Sequence, residues 1–415
     1  MFTRPVAIGL SPNTQADDYL AAFSIVLTPW RWQKGEYVAQ VEQWFKREYK
    51  TDTAVAFNAG RSALLALLQA FGIGQGDEVL IQAFTCVAVP NSILWAGARP
   101  VFVDTDKTLN FSVKDAEKKL TTKTKAVIVQ HTFGMPADLD AIKAFCKKHK
   151  LLLIEDCAHS LGAWYKNKQV GTIGDAAFFS FGRDKVISSV FGGVAIVANK
   201  QVGQRLRATQ EACGNNSYLW VFQQIMHPVA MSVILPLYSI GIGKALLVVL
   251  QKLHLLSFPV YRLEKMTKKP AVFPRKLPNA LGFLALAQLR KLHQLNKTRA
   301  KFAAFYQEKL RNGPDDLVEV REGAVFLRFP LLSSRAQELL FQMKKQGIIA
   351  GNWYRSVVDP KGVLLTKAGY EPGSCPEAEK AAELIINLPT YPTLTQEQAR
   401  NIVQIILKNQ ELRSA

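Results

Sequence analysis

The chain has 415 residues, 48% of them hydrophobic, so it can bury a large core in two or three domains. It carries 52 Lys and Arg against 33 Asp and Glu, and the net charge of +19 favours an anionic partner. No helix-turn-helix, zinc-finger or aromatic RNA-binding signature accompanies this charge, so nucleic acid is not predicted as that partner.

The cysteines and histidines predict neither a disulfide framework nor a metal site. The five cysteines are odd in number and scattered, and the six histidines are dispersed. This pattern indicates reduced thiols in the cytoplasm and no bound metal. The first residues also lack the charged-then-apolar layout of a signal peptide.

The first candidate functional motif along the chain is the turn Gly60-Arg61-Ser62, which begins a predicted helix. The first amide N–H groups of a helix have no partner within it, and the helix dipole adds positive charge there. A phosphate is well suited to such a turn. The turn is therefore a candidate phosphate site, although glycine before a helix is more often only a structural boundary.

Four apolar runs predict strands of a mostly parallel sheet. They cover residues 126–130, 151–156, 174–181 and 192–197. The second run ends at Asp156, and the third leads through Ser180 to Lys185. Because ligands bind at the carboxyl ends of parallel strands, we expect Asp156 and Lys185 to lie at one edge of the sheet.

Lys185 and Asp156 together indicate the chemistry of pyridoxal phosphate (PLP). A lysine amine can hold PLP through a Schiff base. A carboxylate keeps the pyridine nitrogen protonated, so the ring can withdraw electrons when a Cα–H bond breaks. Taken singly, Lys185 could equally be an ordinary exposed lysine, and Asp156 could equally be a strand-end acid bonded to local amides. Their joint placement predicts a PLP site.

Five short motifs follow one another along the chain. They are FNAGRSAL at 57–64, GARPVFVD at 97–104, EDCAHSLGA at 155–163, FSF with the lysine and GG at 179–193, and NLPTYP at 387–392. This series resembles the DegT/DnrJ/EryC1/StrS sugar aminotransferases, from about Trp30 to the carboxyl terminus with an interruption at about 213–273. The resemblance implies α/β fold type I of the PLP-dependent transferases, with a mostly parallel sheet between helices and a smaller α+β carboxyl-terminal domain.

The resemblance also implies roles for individual residues. Lys185 stands where the family has the lysine that binds PLP, and Asp156 where it has the partner of the pyridine nitrogen. His159 stands where the family has Gln or His beside the ring. The remaining expected cofactor-binding residues are Gly60, Arg61, Ser62, Cys86 and Ser180, and no residue is expected to bind a metal.

Four positions depart from the family pattern. The family has Thr at Arg61, an aromatic residue at Cys86 and Glu at Phe191. A guanidinium at Arg61 would reinforce phosphate binding or signal altered cofactor chemistry. Stacking on the PLP ring is either lost or supplied by Phe84. An asparagine that reaches a neighbouring subunit's phosphate is also replaced, and Arg275 is its expected substitute.

The interruption in the resemblance is an apolar segment flanked by basic residues. Residues 217–243 contain no Asp, Glu, Lys or Arg, and lysines and arginines crowd beside them. Prolines 228 and 236 and glycines 241 and 243 are expected to break this stretch, which predicts an interfacial helical hairpin rather than a spanning helix. Its basic flanks would bind anionic lipid. The alternatives are that it covers a neighbouring subunit or that the charge is an ordinary solvated face.

We therefore predict a PLP-binding domain over 1–212, the insert over 213–272 and a small carboxyl-terminal domain over 273–415. The last domain is expected to open with a long helix over 277–310. The patterns further predict a strand over 324–330 and helices over 333–346 and 395–408.

The predicted function is PLP-dependent transfer of an amino group, from glutamate or glutamine, to a keto-sugar that is linked to a nucleotide. This reaction would serve amino-sugar or cell-surface polysaccharide biosynthesis. A homodimer is expected, in the cytoplasm or peripheral on the inner face of the cytoplasmic membrane. The alternatives are a PLP enzyme acting on an amino acid or a lipid-linked substrate, and a membrane-attached regulatory protein without catalysis.

Overall fold

The computed structural model describes residues 5–253, 255–313 and 315–411. The strands, in chain order, are β1 Val6–Ala7, β2 Thr53–Phe57, β3 Glu78–Gln82, β4 Thr85–Cys86, β5 Arg99–Val103, β6 Thr124–Gln130, β7 Leu152–Asp156, β8 Trp164–Tyr165, β9 Lys168–Gln169, β10 Ala176–Ser180, β11 Gly193–Val197, β12 Asp316–Leu317, β13 Phe329–Leu332, β14 Ile348–Ile349, β15 Val358–Asp359 and β16 Ile385–Leu388. The helices are α1 Ala16–Val26, α2 Tyr37–Glu48, α3 Gly60–Phe71, α4 Ala88–Ala96, α5 Val113–Lys119, α6 Leu139–His149, α7 Lys200–Ala212, α8 Tyr218–Ile234, α9 Ile242–Lys252, α10 Arg262–Lys265, α11 Asn279–Leu289, α12 Leu292–Leu310, α13 Ala336–Lys345, α14 Pro376–Leu384 and α15 Gln396–Glu411.

The central sheet has seven strands in the order β2-β11-β10-β7-β6-β3-β5. Strands from β10 to β5 run parallel to their neighbours, and β11 is antiparallel to both β10 and β2. Ile154 and Phe178 pack into the core on one face, and Leu153 and Ala177 into the core on the other. Both faces are covered, which explains why the strands appear in the sequence as continuous apolar runs. The predicted mostly parallel sheet is confirmed.

The sheet brings two chemically important strand ends together. β10 lies parallel to β7, with Phe178 opposite Asp156. The chain leaves β10 at Ser180 and turns through a loop that carries Lys185. Asp156 and Lys185 therefore reach the same edge, as the strand pattern predicts.

The carboxyl-terminal part contains a three-stranded antiparallel sheet in the order β12-β13-β16. Two short parallel pairs tie this part to the rest of the chain. In one pair, Val6 of β1 lies opposite Ile348 of β14. In the other, Cys86 of β4 lies opposite Asp359 of β15. The second pair joins the carboxyl-terminal part directly to the edge where Lys185 lies.

The insert contains a helical hairpin, because α8 and α9 pack against each other across a turn. The expected break at Pro228 is wrong: this buried residue lies inside α8, which also packs on α1 and α11. Tertiary packing holds the helix although proline donates no backbone hydrogen bond. α8 ends at Ile234, before Pro236. Within the described ranges, no helix is both long enough and apolar enough to cross a membrane.

Two expectations for the carboxyl-terminal part need correction. The helix expected over 277–310 is two helices, α11 and α12, because α11 packs on α1 and α2 whereas α12 packs on α15. The strand expected over 324–330 begins only at Phe329, since Phe326 has a positive φ of 46° that a strand does not accommodate.

Candidate active site

A cavity of about 460 Å³ opens at the carboxyl ends of β7 and β10. We call the large-domain residues that line it the floor and the insert residues that line it the roof. The floor includes Gly60, Arg61, Cys86, Asp156, His159, Ser180 and Lys185. The roof consists of His227, Met231, Leu247, Gln251, Phe258, Pro259, Val260 and Lys265. The insert therefore covers the chain's own cavity, an arrangement that the sequence did not predict.

Lys185 and His159 are in direct contact in the floor. Lys185 Nζ lies 2.8 Å from His159 Nε2. The backbone N–H of Phe133 donates to His159 Nδ1 at 3.3 Å, so the neutral ring carries its proton on Nε2, facing the lysine. Burial, with the charges of Lys185 and Arg328, holds the pKa of His159 well below its usual value. His159 is thus a neutral ring that orients the lysine amine.

Asp156 is a buried acid at the end of β7, with 3% of its surface exposed. Burial raises its pKa to about 6, although the N–H of Ala158 donates to Oδ1 at 3.0 Å and favours the charged form. A carboxyl group buried beside an open cavity is ready to pair with a cationic ring nitrogen. The environment of Asp156 therefore fits the pyridine end of PLP.

At the opposite end of the floor, the start of α3 lies in close contact with the end of β10 and the start of β11. α3 begins at Gly60, and its N-cap, Ala59, has no side-chain oxygen to cap the helix. A Cβ on Gly60 would lie 2.8 Å from Ser180 Cβ, and one on Gly193 would lie 2.6 Å from Gly60 N. Only glycine fits at these two positions, and the uncapped amides can donate to an anion beside the Ser180 hydroxyl. This cradle fits the phosphate of PLP.

Two residues of the predicted cradle point elsewhere. The Ser62 hydroxyl donates to Asn58 Oδ1 at 2.8 Å, and Ser62 does not line the cavity. The Arg61 guanidinium forms an ion pair with the fully buried Glu264 and donates to the Pro259 carbonyl at 2.9 Å. Arg61 lines the cavity, but its hydrogen bonds attach the insert to the floor.

Cys86 lines the cavity, where burial raises the pKa of its thiol. Phe84, the expected substitute for a stacking ring, is fully buried and does not line the cavity. Its ring packs edge-on against Tyr354, with centroids 5.3 Å apart. Tyr354 lines the cavity and lies nearly parallel to His159, with centroids 6.1 Å apart. The ring beside the floor thus comes from Tyr354, which the motifs do not reveal.

The departure at Phe191 has a packing explanation. Its ring contacts three aromatic residues in and beside the insert, with centroid distances of 5.4 Å to Trp220, 6.4 Å to Tyr261 and 6.3 Å to Phe273. A glutamate there would put a charge into this apolar cluster. Phe191 is therefore the floor residue on which the insert packs.

Arg275, expected to reach a neighbouring subunit, lies outside the cavity. Its Nη2 donates to the Ala271 carbonyl at 3.1 Å. Its reach towards a second subunit stays a prediction.

The fold also gathers three buried residues with metal-ligand atoms, His131, Glu155 and Cys157, within 4.8 Å of one another. Glu155 accepts backbone N–H bonds from Gly171, at 2.8 Å, and from residues 173 and 174, both at 2.7 Å. His131 Nε2 lies 3.3 Å from the same carboxylate. These bonds already occupy the carboxylate, so the group is explained as a structural network.

Comparisons with known proteins agree with this geometry. The model of the DegT/DnrJ/EryC1/StrS aminotransferase family matches residues 13–232 and 248–407. A pleiotropic regulatory protein of Geobacillus stearothermophilus is 31% identical over 379 residues, covering 90% of this chain and 89% of that protein. The GDP-perosamine synthase of Escherichia coli O157:H7 is 40% identical over 177 residues, which are 42% of this chain and 49% of the synthase.

Among solved structures, S. venezuelae DesV superposes with a TM-score of 0.74 and 25% identity over 95% of both chains. The family match leaves only 233–247 uncovered between its two parts, which is the end of α8, the turn of the hairpin and the first half of α9. The interruption expected over about 213–273 is therefore narrower than predicted. The chain therefore belongs to the DegT/DnrJ/EryC1/StrS aminotransferase family of PLP-dependent enzymes with fold type I.

Proposed function

We propose that this enzyme transfers an amino group from glutamate or glutamine to a nucleotide-linked keto-sugar, in amino-sugar biosynthesis. The observation that carries the proposal is the contact of Lys185 Nζ with His159 in a cavity that Asp156 also lines. The GDP-perosamine synthase is a relative whose name supports a sugar as the acceptor.

The residues of the floor divide the binding of PLP among them. Asp156 would pair with the pyridine nitrogen, and the amides of Gly60 and Arg61 with the Ser180 hydroxyl would hold the phosphate. Bound PLP supplies an electron-withdrawing ring that weakens the Cα–H bond of the amino donor. Ser62 supports this turn through Asn58 rather than by contact with the phosphate.

Lys185 Nζ has two proposed tasks. It would hold the cofactor covalently, and as a free amine it would move a proton as a general base. The Nε2–H of His159 faces Nζ, so the amine has a hydrogen-bond partner that keeps it in the floor. Burial keeps His159 neutral, and its Nε2–H can donate to the lone pair of the unprotonated amine, the form that acts as a base.

The test uses the purified holoenzyme and the visible absorbance of lysine-bound cofactor. Glutamate or glutamine should discharge this absorbance, and a keto-sugar nucleotide from a panel should restore it. Hydride reduction should fix the cofactor on Lys185 in a peptide map. An enzyme that shows the absorbance but ignores both donors would contradict the proposed donors, and restoration only by a 2-oxo acid would favour an amino-acid substrate.

The alternative of a regulatory protein without catalysis has one supporting observation, the name of the Geobacillus relative. A family member without catalysis would not need the Lys185–His159 contact or the buried Asp156. Absence of the cofactor absorbance in the native protein would favour that alternative over transamination.

We further propose the domain division 1–212, 213–272 and 273–415, and a homodimer in the cytoplasm. The sheet order supports the division, because the strands of the seven-stranded sheet precede the insert and those of the three-stranded sheet follow it. The five scattered cysteines support a reducing compartment. Light scattering should give twice the mass of one chain, and a single-chain mass would exclude the dimer.

Finally, we propose that the hairpin contacts an anionic membrane surface. Val249 and Leu253, at the carboxyl end of α9, are 49% and 62% exposed. Exposed lysines at 244 and 252 flank these apolar side chains, a combination that suits anionic headgroups above an acyl layer. A second subunit could cover the same apolar face, and the experiment must separate the two occupants.

Cosedimentation with vesicles of anionic and of neutral lipid distinguishes a membrane surface from a second subunit as the occupant of this face. We expect binding to anionic vesicles, release at high salt, and loss in Lys244→Glu/Lys252→Glu. Phe341→Ser is the control, since Phe341 is 56% exposed but lies on α13. Wild-type protein that ignores both vesicles would leave subunit packing as the explanation.

A further inference from the structure

Arg183 is a buried cation whose hydrogen bonds are largely unmet. It lies in the loop between β10 and Lys185, lines the cavity, and is 7% exposed. Its Nη2 donates to Ser257 Oγ at 2.6 Å, and its Nε has no partner. Within the described ranges it forms no ion pair. A guanidinium has five N–H donors, so most of its bonding capacity is unused.

Two other buried arginines have more partners from the chain than Arg183 has. Arg299 is fully buried away from the cavity and donates to Asn296 Oδ1, Asn13 Oδ1 and the Val186 carbonyl. Arg328 lines the cavity but donates to Asp184 Oδ2 at 2.7 Å, with its Cζ 3.8 Å from the centre of the Trp353 ring. Nε lacks a partner in all three arginines, but the terminal nitrogens of Arg299 and Arg328 have several acceptors or a counter-charge from the chain. Among the residues that the structure describes, Arg183 has a single acceptor, the Ser257 hydroxyl.

The insert holds Arg183 in place. Ser257 accepts from the guanidinium and donates to Gln224 Oε1 at 2.5 Å, and Gln224 donates to the Trp220 carbonyl at 2.9 Å. The face of Phe191 lies 5.9 Å from Arg183 Cζ. This chain fixes the guanidinium before any ligand arrives, which is the arrangement that makes a charged group effective in recognition.

A neutral histidine lies beside the guanidinium. His227 is 5% exposed and lines the cavity, and its Nε2 lies 2.9 Å from Ser11 Oγ. Its Nδ1 has no partner. Burial, followed by the charge of Arg183, holds the pKa of His227 well below its usual value. The roof therefore does not provide a negative charge for Arg183.

Asp184, the next residue, attracts Arg183 but forms its ion pair with Arg328. A buried charge without an ion pair of its own is unfavourable unless a ligand pairs with it. We propose that Arg183 binds an anionic group of the acceptor, namely a phosphate of the carrier to which the keto-sugar is attached. This inference rests on the proposed aminotransferase function. The lining of the cavity continues from the residues that would hold PLP to Arg183 and the roof, so the cavity extends beyond the proposed cofactor site.

The roof residues beyond Arg183 fit such a carrier. Met231, Leu247 and Phe258 give the roof apolar surface that a donor carboxylate would not use. The phosphate can come from a nucleoside diphosphate or from an isoprenoid diphosphate, and the same guanidinium would recognise both. An apolar roof accepts the base of the first or the hydrocarbon of the second.

The test measures binding of inorganic pyrophosphate, uridine diphosphate and farnesyl diphosphate to the holoenzyme by calorimetry. Arg183→Met should weaken binding of at least one of the two carriers by at least about tenfold, and Arg183→Lys by less, since a lysine keeps the charge but not the fork of donors. The carrier with the larger loss identifies the source. Lys268→Met, an exposed cation of the same insert, is the matched control and should change nothing.

Three results would overturn the inference. They are failure of every probe to bind the wild type, equal losses in the Arg183 and Lys268 variants, and a loss confined to the glutamate step, which would assign Arg183 to the donor. If Arg183→Met fails to bind PLP, the Ser257→Ala variant is tested in its place. That variant keeps the guanidinium but removes the hydroxyl that orients it. A wild type that binds uridine diphosphate but never reacts with glutamate or glutamine contradicts the proposed function and leaves the anion subsite standing.

Discussion

In the floor of the cavity, backbones meet at contact distance, whereas in the roof long side chains make the contacts. Gly60 and Gly193 leave no room for an added Cβ. The roof instead depends on the Arg61–Glu264 ion pair and on the aromatic cluster around Phe191. Backbone contacts of the first kind cannot be altered one residue at a time, but side-chain contacts of the second kind can. The floor therefore suits an invariant cofactor and the roof a variable acceptor.

The largest effect should come from the centre of the floor. Lys185→Ala should abolish both the visible absorbance of the cofactor and amino transfer, because no other amine in the described floor can hold PLP covalently. Lys200→Ala, at an exposed lysine 3.7 Å from Asp52, is the control and should behave as the wild type. Full activity in the Lys185 variant would remove this residue from its role.

Asp156→Asn should lower turnover by orders of magnitude while the protein still folds. A neutral amide cannot keep the pyridine nitrogen protonated, so the ring would withdraw electrons poorly. Steady-state kinetics and the thermal unfolding curve check the two halves of this expectation. Asp140→Asn, at an exposed acid, is the control, and near-normal turnover in Asp156→Asn would show that another group serves the nitrogen.

The next largest effect should come from breaking the ion pair that joins floor and roof. Glu264→Gln should destabilise the fold by about 3–5 kcal/mol, because Glu264 is fully buried and its loss leaves Arg61, 11% exposed, without a counter-charge. Urea unfolding measures the loss, and Glu117→Gln, which breaks a surface pair, is the control.

Arg61→Met then sharpens the comparison between floor and roof. If Arg61 serves the roof, as its bonds to Glu264 and Pro259 indicate, this variant should change the PLP dissociation constant by less than about tenfold. A larger loss of PLP affinity would return Arg61 to the phosphate cradle.

A further expected effect concerns pH. In the cofactor-free protein the pKa of Asp156 is raised to about 6, above its unfolded value near 4. As pH rises from about 4 to 6 the unfolded state loses a proton that the folded state keeps, so the wild type loses stability, up to about 3 kcal/mol. The Asp156→Asn variant has no carboxyl group at this position, so its stability does not fall for this reason. The cofactor-free variant should match the wild type near pH 4 and exceed it above pH 6, in unfolding curves taken across this range. Parallel pH profiles would contradict the raised pKa.

The floor was largely accessible to sequence reasoning because its residues lie in short motifs at strand ends. Asp156, Ser180 and Lys185 follow apolar runs whose parallel pairing decides where they meet. The roof was not accessible, because its contacts join distant residues. Arg61 and Glu264, which join floor and roof, are 203 positions apart. The contact of His159 with Tyr354 of the carboxyl-terminal part was missed for the same reason, since these residues are 195 positions apart.

The errors in secondary structure have the same origin. Pro228 stays within α8 because the helix packs on α1 and α11, and the helix expected over 277–310 divides where its packing partners change. Local patterns give the period of a helix but not its neighbours. The insert was recognised as unusual from its composition, yet composition alone does not show that it covers the cavity.

The parallel pair of β1 and β14 has a consequence for how the protein is made. The Ala7 N–H also donates to the Tyr391 hydroxyl, 384 residues further along the chain, and Gly9 and Leu10 line the cavity just beyond this strand. A ribosome needs on the order of tens of seconds to synthesise the intervening residues. The first segment of the nascent chain must wait for the last, so the catalytic cavity closes only when translation is almost complete.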